Sequence, residues 1–488
     1  MSGAGGGGRG SGVRRVAVLG AGPRALWAAE CLADAAADIT LDVFDPRPPG
    51  VGSAYAVDQP RHLRLNVTSA IVRTGLGAFD DWRRARGEGA ELDPFPPRAL
   101  VGAFLAHAWA AVAERLDVRH HAVAATAPRP EEGRWRVGGP DAAGELYDEV
   151  LLATGHESAW PGAWHHARPD AVPAFPVNGL TPERVPAGRP VAVRGTALTF
   201  IDAALSLTEG RGGWFTDAGY ETGGAEPTIV PFSRHGRFME PKPEPDGPLA
   251  ALDLAEPRAA GAGAIASTPG SARCVAEAVR VTAQAYLRQA GGSGDVAAVL
   301  AGTDGSADPV ADLRRSLAVV RGEERPHAPW AVGQAFRDLY PAIIASLSFE
   351  RCPAGEWATF AALAATLERV AFGPPPVNAA KVLALVDAGV LAPPSRTEPA
   401  AEARVDAVIA PPGVVPGSLT AALVGRGIGR LASGRRGLRV GPDGGVPGWP
   451  GLAAVGRSTE DVVIGNDTLS RTLHDVVPRW AEKVSRDA

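Results

Sequence analysis

Val16-Ala17-Val18-Leu19-Gly20-Ala21-Gly22-Pro23-Arg24-Ala25 is the stretch on which the reading of this chain turns. A short apolar strand runs directly into G-x-G-x-x-A, the pattern of a strand, a tight turn and a helix. Gly20 permits the turn out of the strand and Gly22 lets the backbone approach a pyrophosphate. The small Ala25 lets a helix over Leu26 to Ala33 pack close to the strand. Such a helix aims unpaired N–H groups and the positive end of its dipole at phosphates. The next apolar run, Ile39 to Phe44, ends at Asp45, whose carboxylate would accept hydrogen bonds from a ribose diol. Together these residues predict a site for the ADP half of FAD or NAD(P).

The same plan recurs downstream. Pro190 to Asp202 reads as strand, glycine turn and helix, with Gly195 and Thr196 at the turn. Ala197 replaces the second glycine of the fingerprint, and its methyl would hinder close approach of a pyrophosphate, so a weakened, shifted or specialised site is expected. Ile229 to Phe232 reads as a further strand and leads into Ser233-Arg234-His235-Gly236-Arg237. There Arg234 and Arg237 sit where guanidinium forks could hold a 2′-phosphate and select NADPH. Two runs of one character, Asp148-Glu149-Val150-Leu151-Leu152-Ala153-Thr154-Gly155 and Asp406-Ala407-Val408-Ile409-Ala410, are placed to close the two units in turn.

Composition bounds the rest. A chain of 488 residues exceeds the size of one core, so at least two domains are expected. Hydrophobic content of 45% and charged content of 21% are those of a soluble globular protein. A net charge of -5 with no long basic tract gives no footprint for nucleic acid. Cys31, Cys274 and Cys352 are far apart, which fits a reducing compartment and excludes a C-x-x-C redox pair or a cysteine-rich zinc site. Met1 to Ser11 is Gly-rich without an apolar core, and no apolar run reaches membrane-spanning length, so a cytoplasmic location is expected.

Between and beyond the nucleotide motifs, a Pro/Gly loop from Pro48 to Tyr55 leads to Gln59-Pro60-Arg61-His62-Leu63-Arg64-Leu65-Asn66. At the carboxyl ends of the strands this loop would make His62, Arg64 and Asn66 candidates for contact with a reactive ring, and His62 and Asn66 are the expected catalytic residues. A helix is expected from Pro97 to Leu116, then a meander of Val118 to Val123, Trp135 to Val137 and Leu146 to Leu152. Gly261 to Gly270 and Gly291 to Ser306 read as loops. Ser271 to Arg288, Pro309 to Arg321, Trp330 to Phe349, Trp357 to Arg369 and Ala380 to Ala388 read as helices able to cover a substrate. Gly437 to Val440 and Gly451 to Arg457 resemble strands returning to the first unit. Gly465-Asn466-Asp467-Thr468-Leu469-Ser470-Arg471 reads as the start of a last helix, offering capping oxygens and free N–H groups to a flavin.

The expected fold is therefore α/β, with two Rossmann-like dinucleotide-binding domains, three-layer and built on mostly parallel sheets, plus a helical insertion. The expected division is 1–165 with 430–488 for FAD, 166–245 with 391–429 for NAD(P), and 246–390 for the insertion.

The two fingerprints, the paired closing strands and the C-terminal return, in this order, resemble FAD/NAD(P)-binding flavoproteins along nearly the whole chain. More narrowly, G-x-G-P-R at Gly20 to Arg24, F-D-P at Phe44 to Pro46, Q-P-R-H-L at Gln59 to Leu63 and G-N-D-T-L-S-R at Gly465 to Arg471 resemble a bacterial FAD-NAD(P)-binding family. That family is related to two-dinucleotide flavin monooxygenases, N-hydroxylating ones included. The resemblance implies FAD at Gly20, Gly22, Asp45, Thr154 and Gly155, with Gly456 and the Asn466 segment toward the flavin, and NADPH near Gly195 and Arg234. Pro23, Arg24, Asn66 and Thr468 complete the expected FAD residues, Thr196, Ser233 and Arg237 the expected NADPH residues, and no metal is expected. The resemblance also implies that NADPH reduces FAD, that O₂ is taken up as a C4a-hydroperoxide, and that a nucleophilic atom of a small metabolite attacks its distal oxygen. The amine of an amino acid, in secondary metabolism, is the expected target. The expected partners are thus a small-molecule substrate and O₂, with neither nucleic acid nor membrane, and homo-oligomerisation is compatible with the chain.

Three other readings stay open on the residues alone. They are an NAD(P)H-dependent flavin oxidoreductase or oxidase without oxygen transfer, a non-catalytic dinucleotide-binding sensor, and a flavin enzyme without net redox change. The missing C-x-x-C argues against a disulfide reductase.

Overall fold

The computed structural model describes residues 13–486 except 37, 90, 141–142, 158 and 467. Strand β1 (Arg14–Leu19) enters helix α1 (Pro23–Asp34), which returns to β2 (Ile39–Phe44). Helix α2 (Arg98–Ala113) leads to β3 (Asp117–His121), and a hairpin region of β4 (Arg129–Glu131), β5 (Arg134–Val137) and β6 (Glu145–Tyr147) leads to β7 (Glu149–Leu152). The second unit runs β8 (Ala171–Pro173), β9 (Pro190–Arg194), α3 (Leu198–Leu207) and β10 (Thr228–Phe232). Helices α4 (Ala255–Ser267), α5 (Ala272–Gln289), α6 (Pro309–Val320), α7 (Ala328–Leu347), α8 (Ala354–Ala371) and α9 (Pro376–Asp387) come next. The chain ends with β11 (Ala403–Asp406), β12 (Leu452–Ala454) and α10 (Val476–Arg486).

Two parallel sheets organise the molecule, as the α/β reading expects. The first has the order β12-β7-β1-β2-β3 and the second β8-β11-β9-β10. In both, the central strands are buried on each face, which is why Val16 to Leu19 and Val191 to Val193 are continuous apolar runs. Helix α1 shares the core of the first sheet, where Ala25, Ala28 and Ala29 are buried. On its other side α1 meets α10, whose Trp480 is buried and donates Nε1–H to Glu149 Oε1 at 3.0 Å. A separate apolar core joins α4, α5, α7 and α8. Leu313 and Leu317 of α6, and Val382 and Leu383 of α9, instead bury into the core of the second sheet.

Several expectations are corrected by the packing. The run at Val118 lies at the edge of the first parallel sheet, beside β2, and the antiparallel meander is β4-β5-β6. The strand expected over Leu146 to Leu152 is broken at Asp148, whose N–H donates to the Arg15 carbonyl and whose carboxylate accepts the Arg15 N–H, each at 2.9 Å. Residues 261–267, expected as a loop, are helical. A Cβ at Gly261 would lie 2.3 Å from Thr282 Oγ1, so the glycine there serves close helix packing rather than a turn. The other expected loop contains a short helix, Val296–Ala301, capped by Asp295, whose carboxylate accepts from Ala297 and Ala298 N–H. The stretch Gly437 to Val440 makes only an isolated bridge, Leu431 to Leu438, and β12 alone completes the first sheet. The last helix starts at Val476 rather than at Gly465.

Candidate functional site

Register brings the first site together. Leu19 lies beside Phe44 and Leu152, and Leu152 beside Ala454, so β1, β2, β7 and β12 end at one level. The next residue of each strand sits at that edge. Gly20 N–H donates to Phe44 O at 2.9 Å, Ala153 N–H to Leu19 O at 2.8 Å and Val455 N–H to Leu152 O at 2.9 Å. Gly22, Pro23, Arg24, Asp45, Thr154, Gly155, Gly456, Asn466 and Thr468 all line one groove along this carboxyl edge. That is where open α/β sheets bind ligands.

The two glycines of the fingerprint do different work. Gly20 has φ +101° and a Cβ there would sit 2.2 Å from the Ala153 carbonyl oxygen, so the turn admits no side chain. Gly22 caps α1 in extended geometry, with φ −79° and ψ −170°, and no side chain caps the helix. A Cβ at Gly22 would meet only Gly52 Cα, at 3.8 Å. The space before this helix N-terminus is thus kept open, as approach of a pyrophosphate requires. Asp45 is buried and braces the turn, accepting Ala21 N–H at 3.0 Å and Arg47 N–H at 2.9 Å.

The C-terminal segment reaches the same groove as a braced turn. Glu460 accepts the N–H groups of Gly465 at 2.6 Å and Asn466 at 2.8 Å, so these are not the free donors expected from the sequence. Arg24 donates to the Thr468 carbonyl at 2.9 Å, and Arg471 pairs with Glu30 of α1. Asp467, expected beside these residues, lies outside the described residues. Asn466 gives Nδ2–H to Thr459 at 2.7 Å, while its buried Oδ1 has no hydrogen-bond partner among the described residues. His156, also on the groove, has a buried Nδ1 without one. Burial, then the nearby Arg457, pulls the His156 imidazole down to about 3, so it is neutral. Open space before a helix N-terminus, with unsatisfied neutral polar atoms further along, fits a dinucleotide with an amide-rich ring system.

Sequence reasoning passed over His156, Gly52, Tyr55 and Arg457, which share this groove. The one available signal was the Pro/Gly loop at residues 48–55. Gly52 has φ +59° and packs on Gly22, where a Cβ would lie 3.1 Å from Gly22 Cα.

The second edge repeats the geometry. Arg194 lies beside both Phe232 and Asp406, and Gly195 (φ +105°), Ser233 and Ala407 emerge together. Thr196 Oγ1 and Ser233 Oγ are 3.0 Å apart, and Ser233 Oγ accepts Gly236 N–H at 3.1 Å. Ala197 caps α3 with its methyl exposed, and no side chain caps that helix. Arg234 is exposed and Arg237 is not available as expected. Its guanidinium makes two hydrogen bonds to Asp304, at 2.9 and 3.1 Å, in a largely buried cluster with Arg369 and Glu240. The edge of the guanidinium formed by its two Nη atoms is thus taken up by a carboxylate, in place of the phosphate expected there.

The expected catalytic pair is not at the first groove. His62 Nε2 lies 3.0 Å from Ser206 Oγ on α3, and burial lowers the imidazole's affinity for a proton. Asn66 is held by its backbone carbonyl, which accepts from Lys242 Nζ. Both residues tie the first unit to later segments of the chain, as does Arg98 of α2, bonded to Asp202 of α3 at 2.7 and 3.0 Å. Burial also pushes the Cys31 thiol up to about 11, which disfavours the reactive thiolate.

A second cavity, of about 620 Å³, opens between the residues after Asn66, the segment 242–258 and α7. Between this cavity and the first groove stands Tyr340 of α7, whose ring lies beside Gly465, the residue before Asn466, and edge-on to Phe372 in the cavity wall, with ring centroids 5.4 Å apart.

The fold presents two parallel sheets, each followed at its carboxyl edge by a glycine turn and a helix without a side-chain cap, the plan of a protein with two dinucleotide-binding units. Residues 17–157 match the model of an FAD-NAD(P)-binding family. The chain is 29% identical over 290 residues to an L-aspartate N-monooxygenase (nitrosuccinate-forming) from Streptomyces cremeus, a match covering 46% of this chain and 42% of that one. It is 29% identical over 267 residues to a nitrosuccinic acid synthase from Aspergillus oryzae (strain ATCC 42149 / RIB 40), covering 45% and 40%. The chain thus spans less than half the length of the curated relatives it matches. Among solved structures, an FAD-bound cadaverine monooxygenase of desferrioxamine biosynthesis from Erwinia amylovora shares the fold. That likeness covers 97% of this chain and 93% of the other, with a TM-score of 0.51 and 12% sequence identity.

Proposed function

We propose that the protein is an FAD-dependent, NADPH-consuming monooxygenase that hydroxylates a small nucleophilic metabolite, at the amine of an amino acid. The observation that carries this is the groove at the carboxyl edge of the first sheet, where Gly22, Asp45, Thr154 and Asn466 converge before an uncapped helix N-terminus. The relatives named for N-oxygenation of aspartate support an amine as the target. Bound flavin would accept hydride from NADPH and activate O₂.

The chain's own residues supply placement. α1 and Gly22 would hold the pyrophosphate, Asp45 the ribose, and Asn466 and His156 the ring end. Thr196, Ser233 and Arg234 would receive NADPH, with Arg237 left to its structural cluster. We assign residues 1–165 with 430–488 to the FAD unit, 166–245 with 391–429 to the NAD(P) unit and 246–390 to the insertion, α6 and α9 of which share the second unit's core. We further propose a cytoplasmic enzyme, which self-association would not disturb. Among the described residues no helix is long and apolar enough to cross a membrane.

The test is NADPH oxidation by the flavin-loaded protein with each standard amino acid, followed by mass spectrometry. A substrate-stimulated rate with a product heavier by one oxygen supports the proposal. Stimulated oxidation giving only hydrogen peroxide would make the protein an oxidase, and a flavin never reduced by NADPH would make it a sensor.

The second site makes a separate prediction. Arg234→Ala should raise the KM for NADPH about tenfold and leave that for NADH within about twofold, since only the former loses a charged hydrogen bond. Equal changes with both cofactors would remove Arg234 from the 2′-phosphate.

A further inference from the structure

Two half-buried cations, Lys242 and Arg337, line the 620 Å³ cavity, and among the described residues no carboxylate pairs with either. Lys242 donates one Nζ–H to the Asn66 carbonyl. Arg337 of α7 donates to the Ala371 carbonyl at 2.8 Å and to Gln334 Oε1 at 2.7 Å. All these acceptors are neutral, and among the described residues neither cation forms an ion pair. They are near enough that Arg337 adds to the burial that lowers Lys242 to about 7.

The other charged groups lining the cavity do not offset them. Glu244, Asp253 and Arg258 are exposed. Asp338 is the one partly buried carboxylate, and its oxygens already accept Tyr286 O–H at 2.7 Å and Gln334 Nε2–H at 2.9 Å. With both cations protonated, the interior therefore carries one positive charge in excess of Asp338. The remaining wall is apolar, with Val67, Ile71, Phe95, Leu249, Trp330 and Phe372. Like charges held together in a low-dielectric space are costly unless an anion joins them.

We propose that Lys242 and Arg337 form an anchor for the carboxylate of the substrate, so that the enzyme takes amino acids and rejects the corresponding amines that lack the carboxyl group. This rests on the function proposed above and adds the end by which the substrate is held. The carboxylate would accept N–H bonds from both cations, and the apolar wall would take the rest of the molecule. Tyr340, on the same helix as Arg337, links this cavity to the Gly465 turn of the cofactor groove.

The test is calorimetric titration of the oxidised, flavin-loaded protein with each standard amino acid and with the amine formed by removing its carboxyl group. At least one amino acid should bind at least about tenfold more tightly than its amine. Lys242 faces Arg337 and, at greater exposure, Glu244, Asp253 and Arg258, and it loses its proton as pH rises through about 7. Affinity for that amino acid should therefore fall about tenfold from pH 6 to pH 8. Lys242→Met should weaken binding and flatten this pH dependence. Arg337→Gln should weaken it as well, and because Arg337 also supports the end of α8, the Lys242 variant decides the matter if that protein fails to fold. Amines binding as well as amino acids, no amino acid binding at all, or an unaltered pH profile in Lys242→Met would overturn the anchor. Flavin content of the same samples separates the two claims. Flavin-loaded protein indifferent to the carboxylate refutes the anchor alone, whereas a chain that takes up no FAD, and when titrated without it still prefers the amino acid to its amine, refutes the proposed function alone.

Discussion

Gly22→Val should fold normally and lose FAD. The residue has extended backbone geometry that valine adopts, and a Cβ there meets nothing nearer than Gly52 Cα at 3.8 Å. The added methyl groups would occupy the space in which a pyrophosphate must approach the N–H groups of α1. Crowding of that size costs about 3 kcal/mol, which is about a hundredfold in affinity. The measurement is flavin content and FAD affinity of the purified variant beside its far-ultraviolet circular dichroism. Retained flavin would place the dinucleotide elsewhere. The neighbouring Gly20→Ala should behave differently and fail to fold, because its Cβ would lie 2.2 Å from the Ala153 carbonyl oxygen at φ +101°. A pair of glycines two residues apart thus separates fold from ligand.

The second large effect is expected between the units. Arg98 and Asp202 bury a two-bond ion pair at 2.7 and 3.0 Å, with side-chain exposures of 13% and 11%. Asp202→Ala leaves the guanidinium buried with only the Arg64 carbonyl, which accepts its Nε–H at 2.9 Å. Removing one partner of such a pair costs about 3–5 kcal/mol, whereas replacing both with apolar residues is often neutral. Thermal unfolding should therefore show a large loss for Asp202→Ala and recovery of most of it in Arg98→Met with Asp202→Leu. A double variant as unstable as the single one would mean that the pair holds the units together by attraction rather than by satisfying its own burial.

The parts of this molecule that were legible in the sequence are those where local chemistry and tertiary role coincide. Apolar runs ending in Gly20 and Gly195 are parallel strands because both faces are covered, and their turns need glycine whatever lies beyond. Asp45, Thr154, Gly456 and Asn466 meet in one groove, and their meeting could be anticipated because each follows a strand or turn that can be read from one segment. The residues that escaped reading depend on contacts between distant segments. Arg237 looks like a phosphate ligand until Asp304, far along the chain, arrives beside it. His62 looks catalytic until α3 brings up Ser206. Gly261 looks like a loop residue until Thr282 shows why a helix needs it small. Lys242 and Arg337 carry no motif, and only the fold brings them into one cavity.

The most direct test of the account is the flavin itself. Protein purified under mild conditions, or reconstituted with FAD, should release FAD equimolar with chain on denaturation, and anaerobic NADPH should bleach its visible absorbance before denaturation. A folded chain that carries no flavin and takes up none on incubation with FAD would contradict the assignment of the Gly22, Asp45, Thr154 and Asn466 groove, and with it the function built on that groove.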